Sequence, residues 1–172
     1  GIFQDQDSEG DRLGYRADGG GLLIGIDREV MPDLIGGLSV AYIRTDADLS
    51  ASRGRHDIDT FRVGPYVSYS PKPWFLDAAL SYGYHRFESE RSTPASGSEV
   101  DSDHDGHDFM AYARTGYGFK PFGFGFTVTP EGGLQYLYLY EESFSESGTG
   151  ALDVDSRDSD SLRSRLGLSG AY

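Results

Sequence analysis

Asp101, Asp103 and Asp105 occupy alternate positions and are followed by Gly106, which imitates the opening of a calcium-binding loop of the form D-x-[DN]-x-[DN]-G. Such a loop needs a bidentate carboxylate at its twelfth position, and Tyr112 stands there. A solvated acidic loop, at most a loose site for divalent ions, is the expected outcome. The four histidines, His56, His85, His104 and His107, form no H-E-x-x-H zinc motif. His104 and His107 could share a metal, but a Ser/Asp-rich stretch offers no preorganised geometry. There is no G-x-S-x-G nucleophile elbow and no phosphate-binding P-loop. The absence of cysteine excludes thiol catalysis, thiolate metal sites and disulfides. No enzymatic activity, cofactor or resident metal is therefore expected.

A second set of charges has a different character. Arg62, Asp77, Arg114, Glu131, Arg163 and Arg165 fall on the parity opposite the aromatic and aliphatic residues of their segments. An extended chain turns them away from the apolar face. Unpaired charges in a confined interior are costly, so the four arginines should pair with Asp77, Glu131 or partners on adjacent strands. One role is a packing network that holds the inner wall together. The other is a lining that contacts a segment threading or plugging the interior.

These charges must be carried by strands. Phe124, Phe126, Val128, Pro130, Gly132, Leu134, Tyr136, Tyr138 and Tyr140 share one parity, against small or polar residues on the other. Trp74, Leu76, Ala78, Leu80, Tyr82 and Tyr84 repeat this, as do Phe109 to Phe119 and Phe61 to Tyr69. Residues 34–49, 21–27 and 162–172 fit more loosely, and a short strand around 2–6 opens the set. A two-residue period means strand, and no sustained helical period competes with it. About eight strands result over residues 1–172, which is one domain's length.

The connections alternate in kind. Tight turns at 27–33, 70–73 and 120–123 follow from their Pro/Gly chemistry, and longer links occupy 46–57, 88–107 and 141–160. In an up-and-down meander all short turns then gather at one end and all long, acidic loops at the other. Both lysines, Lys72 and Lys120, lie in short turns. With 28 acidic and 15 basic side chains, a net charge of -13 argues against a nucleic-acid partner.

Soluble antiparallel sheets also alternate, so a soluble sandwich or lipocalin-like barrel is the competing fold. Three features favour a membrane. The strands are long enough to cross an apolar band of ~25 Å, which takes roughly 9–11 tilted residues. The polar parity carries Gly, Ser, Ala and isolated charges of both signs, as a crowded interior requires. Tyr69, Trp74, Tyr82, Tyr84, Tyr117, Phe119, Phe124, Tyr138 and Tyr140 collect near strand ends on the apolar parity, where interfacial girdles sit. No run approaches the ~18 apolar residues of a transmembrane helix, and lipid-facing backbone is otherwise satisfied only by a closed sheet. The expected fold is an all-β, antiparallel, up-and-down transmembrane β-barrel, with outer-membrane lipid and lipopolysaccharide as its surroundings.

The ordered succession of local patterns resembles the C-terminal translocator β-domain of autotransporters, the type V secretion proteins of Gram-negative bacteria. It begins with Gly10-Asp11-Arg12-Leu13-Gly14-Tyr15 and Gly21-Leu22-Leu23-Ile24-Gly25-Ile26-Asp27. It continues through Leu38 to Tyr42, Gly64 to Tyr69, Phe75 to Gly83, Gly116 to Phe119 and Thr129 to Tyr136, and ends in Ser161-Leu162-Arg163-Ser164-Arg165-Leu166-Gly167. The resemblance implies anchorage in the outer membrane, export of a passenger polypeptide and dealings with the outer-membrane assembly machinery. The family's barrel has twelve strands, whereas about eight are present here. Two expectations follow: an excerpt of the larger barrel, or a small closed barrel acting through its acidic loops as a structural or adhesion protein. An outer-membrane hydrolase is a third class, though no motif marks one.

Overall fold

Segments of period two, joined by alternately short and long links, pair best with their sequence neighbours, and the structure does so throughout. A computed structural model of the chain describes residues 2–6, 15–49, 54–92, 99–121, 125–148 and 151–171. Eight strands form one sheet: β1 (Ile2–Gln6), β2 (Tyr15–Met31), β3 (Leu34–Leu49), β4 (Gly54–Tyr69), β5 (Trp74–Ser92), β6 (Glu99–Tyr117), β7 (Thr127–Glu141) and β10 (Arg157–Ala171). Two short strands, β8 (Phe144–Ser145) and β9 (Asp153–Val154), pair within the β7–β10 connection. The main sheet is antiparallel in the order β1-β2-β3-β4-β5-β6-β7-β10. No helix occurs among the described residues.

The sheet does not close. β1 and β10 are its two edges, so the described chain is a partial barrel and not the small closed barrel that eight strands could form. Its two faces differ sharply. Leu80 and Val63 are 48% and 49% exposed, whereas Ser81 is 8% and Asp108 3% exposed, so the polar parity is the more enclosed face. That inversion of a soluble sheet places the apolar side chains outward, with the small and charged ones on the inner wall.

The strands run further than the sequence suggested. β5 and β6 stay paired out to Ser92 and Glu99, and β3 and β4 out to Leu49 and Gly54, through stretches expected to be loops. At the base of these extensions Arg44 stands opposite Asp59 and Arg86 opposite Asp105, cross-strand pairs of opposite sign that support a ladder. Above them the ladder continues through like charges, with Asp46 opposite Asp57 and Glu88 opposite Asp103, which segment composition alone does not reveal. Asp101, Asp103 and Asp105 consequently lie on strand β6 and not in a loop. One parity sends all three side chains to the outer face, spaced along a strand instead of converging on an ion.

At the short-turn end, Asp33 adopts φ 64, a left-handed conformation that Asp tolerates, and its carbonyl accepts a hydrogen bond from Ser70 N at 2.8 Å. This ties the first two turns together.

Candidate functional site

The inner wall is built from facing residues of consecutive strands. Arg62 on β4 reaches across Gly83 of β5 to Asp108 on β6, with Nη1 donating to Oδ1 at 2.8 Å and Nη2 to Oδ2 at 2.6 Å. Arg62 Nη1 also donates to Ser81 Oγ at 2.9 Å. His85 Nε2 lies 2.5 Å from Asp108 Oδ2, and its Nδ1 lies 2.9 Å from Thr60 Oγ1. A carboxylate only accepts, so Nε2 carries the hydrogen, and in the neutral ring Nδ1 accepts from the Thr60 hydroxyl. Asp108, nearly fully buried, is thus held by a bidentate guanidinium and an imidazole.

Nearer the short-turn end, Arg114 Nη2 donates to Asp77 Oδ2 at 2.6 Å, and Arg114 Nη1 lies 3.8 Å from Glu131 Oε2. Ser68 Oγ donates to Asp77 Oδ1 at 2.7 Å, and the Arg114 guanidinium sits 5.1 Å from the Phe75 ring centre. Three of the six charges singled out from the sequence, Asp77, Arg114 and Glu131, therefore meet. Arg62 does not join them, because Asp108 lies closer along the wall. Arg163 and Arg165 make no ion pair among the described residues. Their cross-strand partners are Gln135 and Gly133, and Glu131 lies opposite Gly167. Asp108 directly follows the acidic link expected over 88–107, and its parity, shared with Arg114 and Tyr112, is the sequence signal that sends it inward.

On the outer face the aromatics form rows. Tyr42, Phe61, Tyr84, His107 and Tyr140 are successive cross-strand partners at the loop end. Near the short turns Trp74 pairs with Tyr117 and packs edge-on against Tyr69, with ring centres 5.8 Å apart. Tyr82, Phe119 and Tyr138 share the outer face, and Phe124 lies outside the described residues. From Trp74 to Tyr84, strand rise and tilt together give a height of about 25 Å.

Beyond the upper aromatics, Arg44, Asp59, Arg86 and Asp105 make a row of alternating sign. Asp18, Asp46, Asp57, Glu88 and Asp103 make the next row, wholly acidic. Asp59, then Asp46 and Asp57, hold the Arg44 guanidinium above its ordinary pKa.

At the loop end of the inner wall, the β8–β9 hairpin folds inward. Phe144 stacks on His104 with centres 4.2 Å apart, and His104 stacks on Phe87 at 4.7 Å. Ser147 and Asp101 exchange both backbone hydrogen bonds, at 2.9 and 3.1 Å. Beneath lies a cavity of about 390 Å³, lined among others by His56, Val100, His104, Glu141 and Arg157. His56 Nδ1 is 2.6 Å from Ser89 Oγ, and Arg157 Nε donates to Glu141 Oε2 at 2.6 Å. His104 and His107 point to opposite faces and share no metal geometry. No group of three or more acidic, His or Cys side chains among the described residues is arranged to hold an ion.

Comparison with known proteins places this arrangement. A family described as "Autotransporter beta-domain" matches residues 1–172. Esterase EstA of Pseudomonas aeruginosa is 26% identical over 98% of this chain, which spans 26% of that protein. An extracellular serine protease of Serratia marcescens is 29% identical over 90% of this chain and 15% of its own length. The chain thus spans about a quarter or less of these relatives. The translocator domain of the autotransporter NalP from Neisseria meningitidis superposes with a TM-score of 0.79 at 19% identity, covering 90% of this chain and 54% of that one. The β-domain of the Bordetella autotransporter BrkA superposes with a TM-score of 0.70 at 19% identity, covering 95% and 64%.

Proposed function

Because the chain belongs to the autotransporter β-domain family and lies in the bacterial outer membrane, we infer that it anchors a longer protein there and passes a passenger polypeptide to the cell surface. The observation that carries this reading is the inverted sheet: an outward apolar band of membrane height, with a small-residue wall of paired charges facing a lumen. The inner wall sets Gly, Ser and hydrogen-bonded ion pairs among Tyr66, Phe75, Met110 and Leu137, so it offers a passing polypeptide a mixed surface whose charges are already engaged. In outer-membrane barrels the short turns face the periplasm, so the long acidic hairpins and the β8–β9 hairpin stand on the extracellular side.

The network of Arg62, Asp108, Arg114, Asp77 and Glu131 serves in this reading to fix the wall. Arg163 and Arg165 face the lumen from β10 and are available to an acidic segment passing through it. The rows of charge above the upper aromatics would meet lipopolysaccharide head groups, and the outer-membrane assembly machinery would insert the sheet. The esterase and protease names belong to much longer relatives, and we assign this region no catalysis of its own.

The test is surface display. In the full-length protein expressed in a Gram-negative host, an epitope placed upstream of residue 1 should become accessible to antibody on intact cells. Deletion of residues 15–171 should abolish that signal while leaving the protein in the periplasm. Undiminished display after the deletion would refute the assignment.

A further inference from the structure

The β7–β10 connection is the part of the chain that neither wall packing nor lipid contact explains. A link between adjacent strands has no need to fold back over the inner face, yet this one does, and it brings its own short hairpin. Among the described residues its attachments to the sheet include the Ser147–Asp101 backbone pair, a hydrogen bond from Glu142 N to Asp105 O at 2.9 Å, Glu142 Oε1 3.4 Å from His107 Nε2, and the insertion of Phe144 against His104. Beneath it Val100 is 1% exposed. A segment outside the continuous eight-stranded ladder opens at lower cost than the strands it covers.

We propose that this hairpin is a cap over the extracellular mouth of the lumen, latched by Phe144 on His104 and released when His104 takes up a proton. It deepens the translocator reading, resting on it for the statement that the inner face lines a lumen.

The latch works because His104 is confined. Its ring is sandwiched between Phe87 and Phe144, its side chain is 9% exposed, and its Nδ1 is buried with no hydrogen-bond partner. Charged and titratable groups approach from several sides. His56 lies on β4, Asp105 follows on β6, Glu141 is on β7, Arg157 on β10, and Glu146 on the cap; β5 contributes the uncharged Phe87 and Ser89. Glu141 is the natural partner of an imidazolium, but its Oε2 is 4.0 Å from His104 Nε2 and already engaged by Arg157.

Burial therefore dominates and holds His104 below the ordinary histidine pKa. Arg157 and His56 add to that shift, and Glu141 and Asp105 oppose it. The sign follows. An uncapped His104 in water binds a proton at higher pH than a capped one. The cap thus loses stability as pH falls below the ordinary histidine value, and goes on losing it until the capped form also protonates.

The experiment uses the full-length protein in lipid vesicles, with nitroxide labels at Glu88→Cys on β5 and Ser145→Cys on the cap. This region contributes no cysteine of its own. Electron–electron double resonance at about pH 8 should give one narrow distance, and at about pH 5.5 a longer, broader distribution. His104→Phe keeps a stacking ring and cannot titrate, so the narrow distance should persist at both values. Should that variant fail to fold, His104→Gln removes the same titration and should likewise abolish the pH step. Phe144→Ala, in an exposed connection, should give the broad distribution at both. The proposal is overturned if the parent distance does not change with pH, or if the His104 variants change as the parent does. A pH-dependent cap in a protein whose passenger needs no β-domain for display would sink the translocator reading and leave the latch standing.

Discussion

Arg62 and Asp108 clasp each other across an intervening strand, with both carboxylate oxygens bound by one guanidinium. Their side chains are 22% and 2% exposed. Removing one partner from so enclosed a pair leaves a charge that water does not fully reach. Asp108→Ala should destabilise the folded sheet by about 3 kcal/mol or more. An Arg62→Leu/Asp108→Leu double variant should recover much of that loss, since no lone charge remains. Urea-induced unfolding of the full-length protein in vesicles measures both. Equal losses in the single and double variants would show that the pair is not an electrostatic unit.

The clasp depends on Gly83. A Cβ at that position would collide with the Asp108 carboxylate and lie 3.2 Å from Arg62 Nη2. Gly83→Val should therefore push Asp108 off the guanidinium and cost about 1–3 kcal/mol. In an Asp108→Gly background the obstruction disappears, so the same substitution should cost far less. The non-additivity is the measurement that matters, and simple additivity would place the glycine's role elsewhere.

Leu80 and Ser81 are neighbours that face lipid and lumen respectively. Leu80→Arg places a charge in the apolar band and should destabilise by about 2–4 kcal/mol near mid-membrane. Asp103→Arg, on the same face but above the aromatic row, should change stability little. The contrast in vesicle unfolding tests the outward direction of this parity directly, and equal effects at the two depths would mean that no lipid band exists.

The period-two pattern made the strands and their faces legible, because a strand must send Arg62 and Val63, or Leu80 and Ser81, to opposite sides. It also separated the short-turn end from the acidic end. Register was not legible. Asp108 ends an Asp-rich run that adjoins the expected link, and the pairing of β6 with β5 is what sets it inward, opposite Gly83 and within reach of Arg62. The upper halves of β3 to β6 were hidden for the same reason: their acid-rich composition reads as loop, and the backbone ladder that carries Asp46 opposite Asp57 and Glu88 opposite Asp103 is set by partners distant in sequence. The expected pairing of Arg163 and Arg165 failed on register too, since β10 meets β7 with Gln135 and Gly133 at those positions. The two-residue strands of the cap are too short to carry any periodic signal.

Arg44 shows how the upper hairpins tolerate their acidity. Its guanidinium lies 3.6 Å from Asp46 and 3.3 Å from Asp57, both in the acidic row above it. On the outer face it also stands opposite Asp59, whose carboxylate accepts the Tyr42 hydroxyl at 2.7 Å. Arg44→Glu would replace the guanidinium between Asp46, Asp57 and Asp59 with a fourth carboxylate on the outer face of one hairpin. The expected result is faster amide hydrogen exchange over residues 44–59, with exchange below the aromatic row unchanged. Because these charges are exposed, salt should screen the repulsion. Raising ionic strength, or supplying magnesium, should therefore bring the variant's exchange back towards that of the parent. An effect insensitive to salt would mean that Arg44 supports the hairpin by packing its aliphatic stem and not by its charge.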